Sequence, residues 1–457
     1  MFKVPATIAC LLLILVAYRR DRRITRDLSF GVWIPVLWLT IISSKAVSQW
    51  LMVGGSDSAD AVESGSPVDR LFFSLMIGVA IFWMAKKRAD WGRISSSNPW
   101  LVMLVVFAAT SVLWSDYPLV AFKRIVRAAG TAIVVLTVLT ETDPSWAVQT
   151  VIRRVSLLLV PLSALLIKYY DIGVGWDEYG GVAFVGVTNN KNTLGRVGLI
   201  STLYFLSLIL NRKQDKDDGK ALGFILSAIY LAASFWVLTK ANSATSLGCT
   251  YIGIVLLLLH RFVGISRTTA RGLVYLGIPL LVTFVLSFGS LGSLTASVGR
   301  DATLTGRTEL WAELLEMSGN PLVGTGYGSF WIGERLRTLW ERHWWSPNMA
   351  HNGYLEIYLE LGLIGLAILV ALLVSCFGKV QQKLEAKSPH AGLYLAVFFI
   401  FLFYNMTESA TSMTAMMWFI FLLFGVGLTP RYDPKARTAS AFNGARLVPA
   451  ARSRPSL

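Results

Sequence analysis

YLEIYLELGLIGLAILVALLVSCF, residues 354–377, is the stretch that decides the fold. At about 1.5 Å of rise per residue a helix of this length crosses roughly 30 Å of hydrocarbon, and only a helix lets such a segment satisfy its own backbone hydrogen bonds in lipid. Comparable apolar runs recur along the chain, at about 4–18, 29–44, 71–85, 99–114, 124–140, 151–167, 194–210, 221–238, 246–262, 272–290, 391–408 and 411–428. Several are shorter than about 20 residues and reach across only with their flanks, so about 12 to 13 spans are expected. The fold class is therefore all-α, a polytopic membrane helix bundle. Composition agrees: 54% of the 457 residues are hydrophobic and 15% charged, a balance that a soluble protein could not keep off its surface.

Orientation follows from Lys and Arg, which are retained on the cytoplasmic side of short loops. Placing the Arg19–Arg26 cluster inside puts Lys86–Arg93, Arg212–Lys220, Arg261–Arg271 and Arg431–Arg454 on the same side. The expected organisation is N-terminal spans with short loops over 1–290, a large external loop over 291–353, C-terminal spans over 354–428, and a basic cytoplasmic tail over 429–457 that is expected to be disordered. The net charge of +15 is what this topology demands, so no nucleic-acid partner is called for; the partner is membrane lipid. Cys10, Cys249 and Cys376 fall in or beside apolar runs and read as packing residues, and the first apolar segment reads as a span rather than a removable signal.

Three external stretches interrupt the pattern. Residues 45–70, rich in Gly, Ser and Asp around Gly54–Ser66, read as a flexible loop. Residues 168–196 are rich in glycine and aromatic residues and enter a span at Asn192. The longest, about 291–353, has the length to fold partly on its own: Thr305 or Thr308 starts a short helix through Leu310, Trp311, Leu314 and Met317 that Gly319 and Pro321 end. Trp311, Trp331, Trp340, Trp344 and Trp345 suit the lipid headgroup level, where anchoring is commoner than sugar stacking.

Basic residues on the outer side run against the topological bias and need anions. They cluster at Lys123, Arg124 and Arg127, at Lys191 and Arg196, and at Arg300, Arg307, Arg335, Arg337 and Arg342. Taken singly each has a bland reading, a helix-end residue or a partner of Asp116, Glu309 or Glu334; taken together they suit a diphosphate. Of the four histidines, His260 and His390 lie at cytoplasmic helix ends and His343 among tryptophans, whereas His351 opens a span beside Asn352 and Tyr354. An imidazole there can accept a proton from an attacking hydroxyl at neutral pH.

These residues carry a resemblance. GRTELWAELLEMSGNPLVGTGYGSF at 306–330 and AHNGYLEIYLELGLIGL at 350–366, with WSDYPLVAFKRIVRAAG at 114–130 and GVTNNKNTLGR at 186–196, resemble the O-antigen ligase and polymerase superfamily of bacterial envelope enzymes, the Asn-Lys-Asn-Thr-Leu-Gly stretch looking most like exopolysaccharide polymerases. The resemblance implies a periplasmic site on the inner membrane and transfer of an undecaprenyl diphosphate-linked saccharide to a sugar hydroxyl, without nucleotide sugar, metal or other cofactor. By that pattern His351 and Arg307 are the catalytic candidates. Lys191, Arg196 and Arg124 are expected to bind the diphosphate, mainly on charge and side, and Asn352 and Tyr354 to orient sugar or imidazole. Polymerase, ligase to the lipid A core, and, from another class, a lipid-linked saccharide flippase remain as readings; the absence of an internal repeat and the scarcity of charge within spans weigh against the last. A flippase and a chain-length regulator are the partners implied for a polymerase.

Overall fold

A computed structural model describes residues 2–52, 66–176, 180–212, 222–275 and 305–428, the side chains of 305–308 excepted. The flexible loop expected around Gly54–Ser66, most of the span expected at 272–290, Arg300 and the tail 429–457 thus lie outside the described residues, as does the Arg307 side chain.

The described chain is helical with one short hairpin. In order it forms α1 (Lys3–Ile24), α2 (Trp33–Ile42), α3 (Val47–Trp50), α4 (Pro67–Lys86), α5 (Trp91–Ser97), α6 (Pro99–Thr110), α7 (Pro118–Leu136), α8 (Pro144–Tyr169), β1 (Val174–Trp176), β2 (Val182–Phe184), α9 (Lys191–Asn211), α10 (Phe224–Ala241), α11 (Ala244–Phe262), α12 (Thr305–Glu316), α13 (Gly333–Arg342), α14 (Gly353–Glu385), α15 (Ala391–Thr407) and α16 (Met416–Gly425). Local sequence explains the starts. Proline occupies the first turn of α4, α6, α7 and α8, where its missing N–H costs nothing, and Asp90, Asp143, Asn190 and Ser243 cap α5, α8, α9 and α11 through their side-chain oxygens.

Among the described residues six helices are long and apolar enough to cross a membrane, α4, α8, α9, α10, α11 and α14, and α5 with the run 99–113 passes the same test as a pair bent by 94°. The expected spans at 29–44, 391–408 and 411–428 coincide with shorter apolar helices, Phe30–Ile42, Ala391–Thr407 and Met416–Gly425. That at 4–18 falls within α1, and that at 124–140 covers the later part of α7 and the 3-10 turn Thr137–Thr140 that follows; both helices carry Arg and Lys residues of their own. The all-α polytopic class stands.

Side-chain contacts sort the helix ends into two sets. At one end Asp21 holds Arg153 and Arg154 at 2.6 and 2.7 Å, Lys383 donates to Ser145, and Arg261 to the Leu210 carbonyl. At the other, Arg196 meets Tyr404 and Thr407 meets Thr245. These are the two groups that alternate sides in the topology read from the basic loops.

One break decides how the external loop sits. Within α14, Gly362 has φ 62° and ψ −163°, outside any helical conformation. The break releases backbone groups that would otherwise pair within the helix, and a buried unpaired one is costly. Residues 321–326 supply the partners: Thr325 and Gly326 N–H donate to the Leu359 and Glu360 carbonyls at 3.1 and 2.9 Å, while Leu363 and Ile364 N–H donate to Pro321 and Leu322 carbonyls at 2.9 and 3.1 Å. The stretch NPLVGTGYG, weak as a motif, is therefore the complement of this break. Above it Leu310, Leu314, Phe330, Trp331, Leu336, Leu339, Ala350 and Leu359 form a second hydrophobic core, separate from that of the bundle. Trp311, Trp340 and Trp345 pack against this core and only Trp344, 72% exposed, stands clear of it, so the tryptophans mostly hold the loop together rather than anchoring it in headgroups.

Gly362→Ala is expected to destabilise the protein by roughly 2 kcal/mol or more, because that backbone region is nearly closed to residues with a Cβ and the Cβ would meet the Leu322 backbone. The unfolding midpoint of the solubilised protein measures this; an unchanged midpoint would refute the role given to the break.

Candidate active site

The segment carrying His351 enters α14 under tight constraint. Asn352 is the helix cap, its Oδ1 accepting the Tyr354 and Leu355 N–H groups at 3.0 and 3.2 Å. His351 itself has φ 49°, a left-handed conformation that costs a side-chain-bearing residue about 1–2 kcal/mol. Gly353 must be glycine on grounds of space, since a Cβ there would run into Asn405 and Thr411. Thr411 Oγ1 donates to the Gly353 carbonyl at 2.6 Å, so the start of α14 lies directly against the end of α15.

That close approach brings His351 to Glu408, the C-cap residue of α15. Glu408 Oε2 stands 3.7 Å from His351 Nδ1 and 3.6 Å from Arg196 Nη2, and Oε1 accepts from Asn192 Nδ2 at 3.2 Å. Arg196 Nε donates to the Tyr404 hydroxyl at 3.1 Å, which lies 3.3 Å from Ser246 Oγ. One nearly buried carboxylate at the end of α15 thus gathers an arginine and an amide from α9 and a histidine from the segment entering α14. The side chains of His351 and Arg196 each keep 14% of their surface, enough for a ligand atom to reach them while the ion contacts remain largely shielded from water. A guanidinium has five N–H donors, more than these two contacts use, so Arg196 has capacity for an anion. Lys191 opens the same helix, one residue before Asn192.

The other expected site residues are placed differently. Arg124 Nη1 donates to the Gly328 carbonyl and so holds the loop 326–330. The Tyr354 hydroxyl donates to the Leu402 carbonyl at 3.1 Å, binding α14 to α15. Arg307 lies in the first turn of α12, four residues before Trp311, whose indole donates to the Ala350 carbonyl at 2.7 Å; the helix carrying Arg307 is thereby tied to the residue preceding His351. Among the wider external set Arg335 meets Asp116 at 2.7 Å and Arg337 meets Glu334 at 3.7 Å, two of the pairings open to them in sequence, and Arg342 meets Glu313 at 2.6 Å. Of the three residues expected to bind the diphosphate, Lys191 and Arg196 thus share α9, and Arg124 is engaged with the loop.

Glu408 is the residue that sequence reasoning missed. An acid at the turn between two apolar runs, in NMTES at 405–409, carries its own signal, because a carboxylate at the membrane boundary must find a cation.

With this geometry in place, comparison with known proteins defines the class. Residues 191–370 match the O-Antigen ligase family, a segment that opens on Lys191, contains Arg196, Arg307 and His351, and ends within α14. The protein is a multi-pass membrane protein in which residues 191–370 are similar to the O-Antigen ligase family. A particular relative is the Exopolysaccharide production protein ExoQ of Rhizobium meliloti (strain 1021), 26% identical over 332 residues that make up 69% of this chain and 74% of the relative. Both matches support a polysaccharide-related ligase or polymerase function.

In the loop that carries Arg307, one carboxylate joins two helices. Glu313 on α12 accepts from Arg342 Nη1 at 2.6 Å and pairs with His343 Nε2 at 2.7 Å. Burial alone would raise its carboxyl, but the hydrogen bonds from His343 and Arg342 prevail and hold it below the ordinary carboxylate range. A carboxyl lowered on folding stabilises the docked state above its unfolded value, about pH 4, and that contribution disappears as pH falls through the lower folded value. Hydrogen exchange in α13, corrected for its intrinsic pH dependence, should therefore accelerate below about pH 4, and Glu313→Gln should remove that acid limb; identical profiles for the two proteins would exclude this role of Glu313.

Proposed function

We propose that the protein polymerises undecaprenyl diphosphate-linked oligosaccharide repeat units into exopolysaccharide at the periplasmic face of the bacterial inner membrane. The convergence of His351, Arg196 and Asn192 on Glu408, at the end of the bundle that also bears Lys191, carries this reading. The site joins what such a transfer needs, a proton acceptor beside fixed positive charge. The relative's name, an exopolysaccharide production protein, favours polymerisation over ligation.

In this reading the acceptor hydroxyl oxygen forms a bond to the anomeric carbon while the bond from that carbon to the diphosphate oxygen breaks. The diphosphate leaves with the electron pair, the hydroxyl proton passes to His351, and attack from the face opposite the leaving group inverts the centre. Diphosphate is stable once its growing charge is neutralised, which is the task of Arg196, Lys191 and Arg307. A proton on His351 Nδ1, directed at Glu408, leaves the Nε2 lone pair as the base, and the carboxylate stabilises the imidazolium that forms. Asn352 and Tyr354 act through the backbone they anchor, and Arg124 through the loop it holds. A flippase delivering the lipid-linked unit and a regulator of chain length are partners this activity calls for.

The test is the size distribution of lipid-linked saccharide formed from a defined lipid-linked repeat by purified protein in vesicles. A ladder of multimers is expected, with His351→Ala reducing its rate by roughly 10²–10⁴-fold, the contribution typical of a general base. Arg196→Ala and Glu408→Ala should also lose most activity. Transfer seen only when lipid A core is supplied would replace polymerase by ligase, relocation of the lipid without bond formation would replace both by a flippase, and a ladder indifferent to all three substitutions would overturn the site.

A further inference from the structure

Glu356, one turn into α14 and 8% exposed, is a buried carboxylate that the proposed chemistry does not use. Its Oε1 accepts from the Ala350 N–H at 2.5 Å and from Ser409 Oγ at 3.0 Å, and its Oε2 from the Trp331 indole N–H at 2.7 Å. Ala350 immediately precedes His351 and Ser409 immediately follows Glu408. One carboxylate therefore ties together the two chain segments that present the base and its acidic partner, and fastens both to the external loop through Trp331. The next peptide, which joins Ala350 to His351, is held as well, the Ala350 carbonyl accepting from Trp311 Nε1 at 2.7 Å. His351 next to it sits in the left-handed region, a conformation that persists only where its surroundings enforce it.

We propose that Glu356 is a positioning residue that holds His351 and Glu408 at their working separation, and that its charge state rather than its shape does so; this rests on the reading of His351 as the base. A peptide N–H and an indole N–H donate and cannot accept. With one of them on each oxygen, both oxygens must be acceptors, which an ionised carboxylate provides. A glutamine of the same size would turn its NH₂ toward one of two donors, and that contact would be repulsive.

Glu356→Gln is expected to lower kcat about 100-fold, the scale of a displacement of roughly 1 Å at a reacting group, while KM for the lipid-linked donor stays within about twofold. Glu356→Asp keeps the charge and should recover part of that loss. An independent readout is the rate at which diethyl pyrocarbonate modifies His351, followed by peptide mass spectrometry with His260 as internal reference; it should rise several-fold in Glu356→Gln and less in Glu356→Asp. If glutamine prevents folding, Trp331→Phe removes only the Oε2 partner and should give smaller changes in the same directions. Wild-type kcat and His351 reactivity in these variants would overturn the proposal, as would a loss confined to KM. The modification rate needs no turnover, so it registers positioning even if an active His351→Ala protein removes the base reading.

Discussion

Four backbone hydrogen bonds between residues 321–326 and 359–364 hold the external loop to the bundle. They exist because α14 breaks at Gly362, and a break in a buried helix must find partners for the N–H and C=O groups it releases. The placement of the external loop follows from that requirement. The loop lies across the break, its second hydrophobic core closes over the first turns of α14, and from that core Trp331 reaches the Glu356 carboxylate and Trp311 the Ala350 carbonyl. Without the break α14 would continue straight, and the segment carrying His351 would have no lid of its own.

Two buried carboxylates show how one chemical arrangement serves different ends. Asp21 sits between Arg153 and Arg154 at 2.6 and 2.7 Å, essentially without exposure, and forms a closed hydrogen-bonded triad between α1 and α8. Breaking such a triad by removing one partner is costly, so it acts as a fixed joint. Glu408 also faces two nitrogen-bearing partners, Arg196 and His351, but at 3.6 and 3.7 Å, too long for hydrogen bonds. Its partners keep part of their surface and can turn toward another ligand. The tight set belongs to architecture, and the loose one is where the proposed chemistry lies.

Much of the membrane architecture was legible in the residues because the hydrocarbon imposes a length and a composition on each crossing segment, and Pro, Asp, Asn and Ser mark the helix starts. The short segments were harder: Phe30–Ile42 and Met416–Gly425 are apolar but end early, where packing against neighbours rather than length governs them. The tryptophans of the loop were misjudged for a related reason. An indole suits both a headgroup layer and a small core, and only the presence of Leu310, Leu314, Leu336 and Leu339 around them decides between the two.

The sequence by itself determined the class of fold, the two-sided distribution of charge, and His351, Arg196 and Lys191 as candidates, since each follows from composition, spacing or the resemblance carried by local motifs. Tertiary structure alone decided which candidates meet. Arg335, Arg337 and Arg342 are taken by carboxylates, Arg124 by a loop carbonyl, and Glu408 and Glu356 enter from positions that nothing local marks as partners. Glu408 lies 57 residues beyond His351 (408 − 351), and the two approach because Gly353 lets α14 touch the end of α15. Pairing of charges depends on distance in space, and in a bundle of antiparallel helices that distance is set by packing, to which the order of residues along one helix is blind.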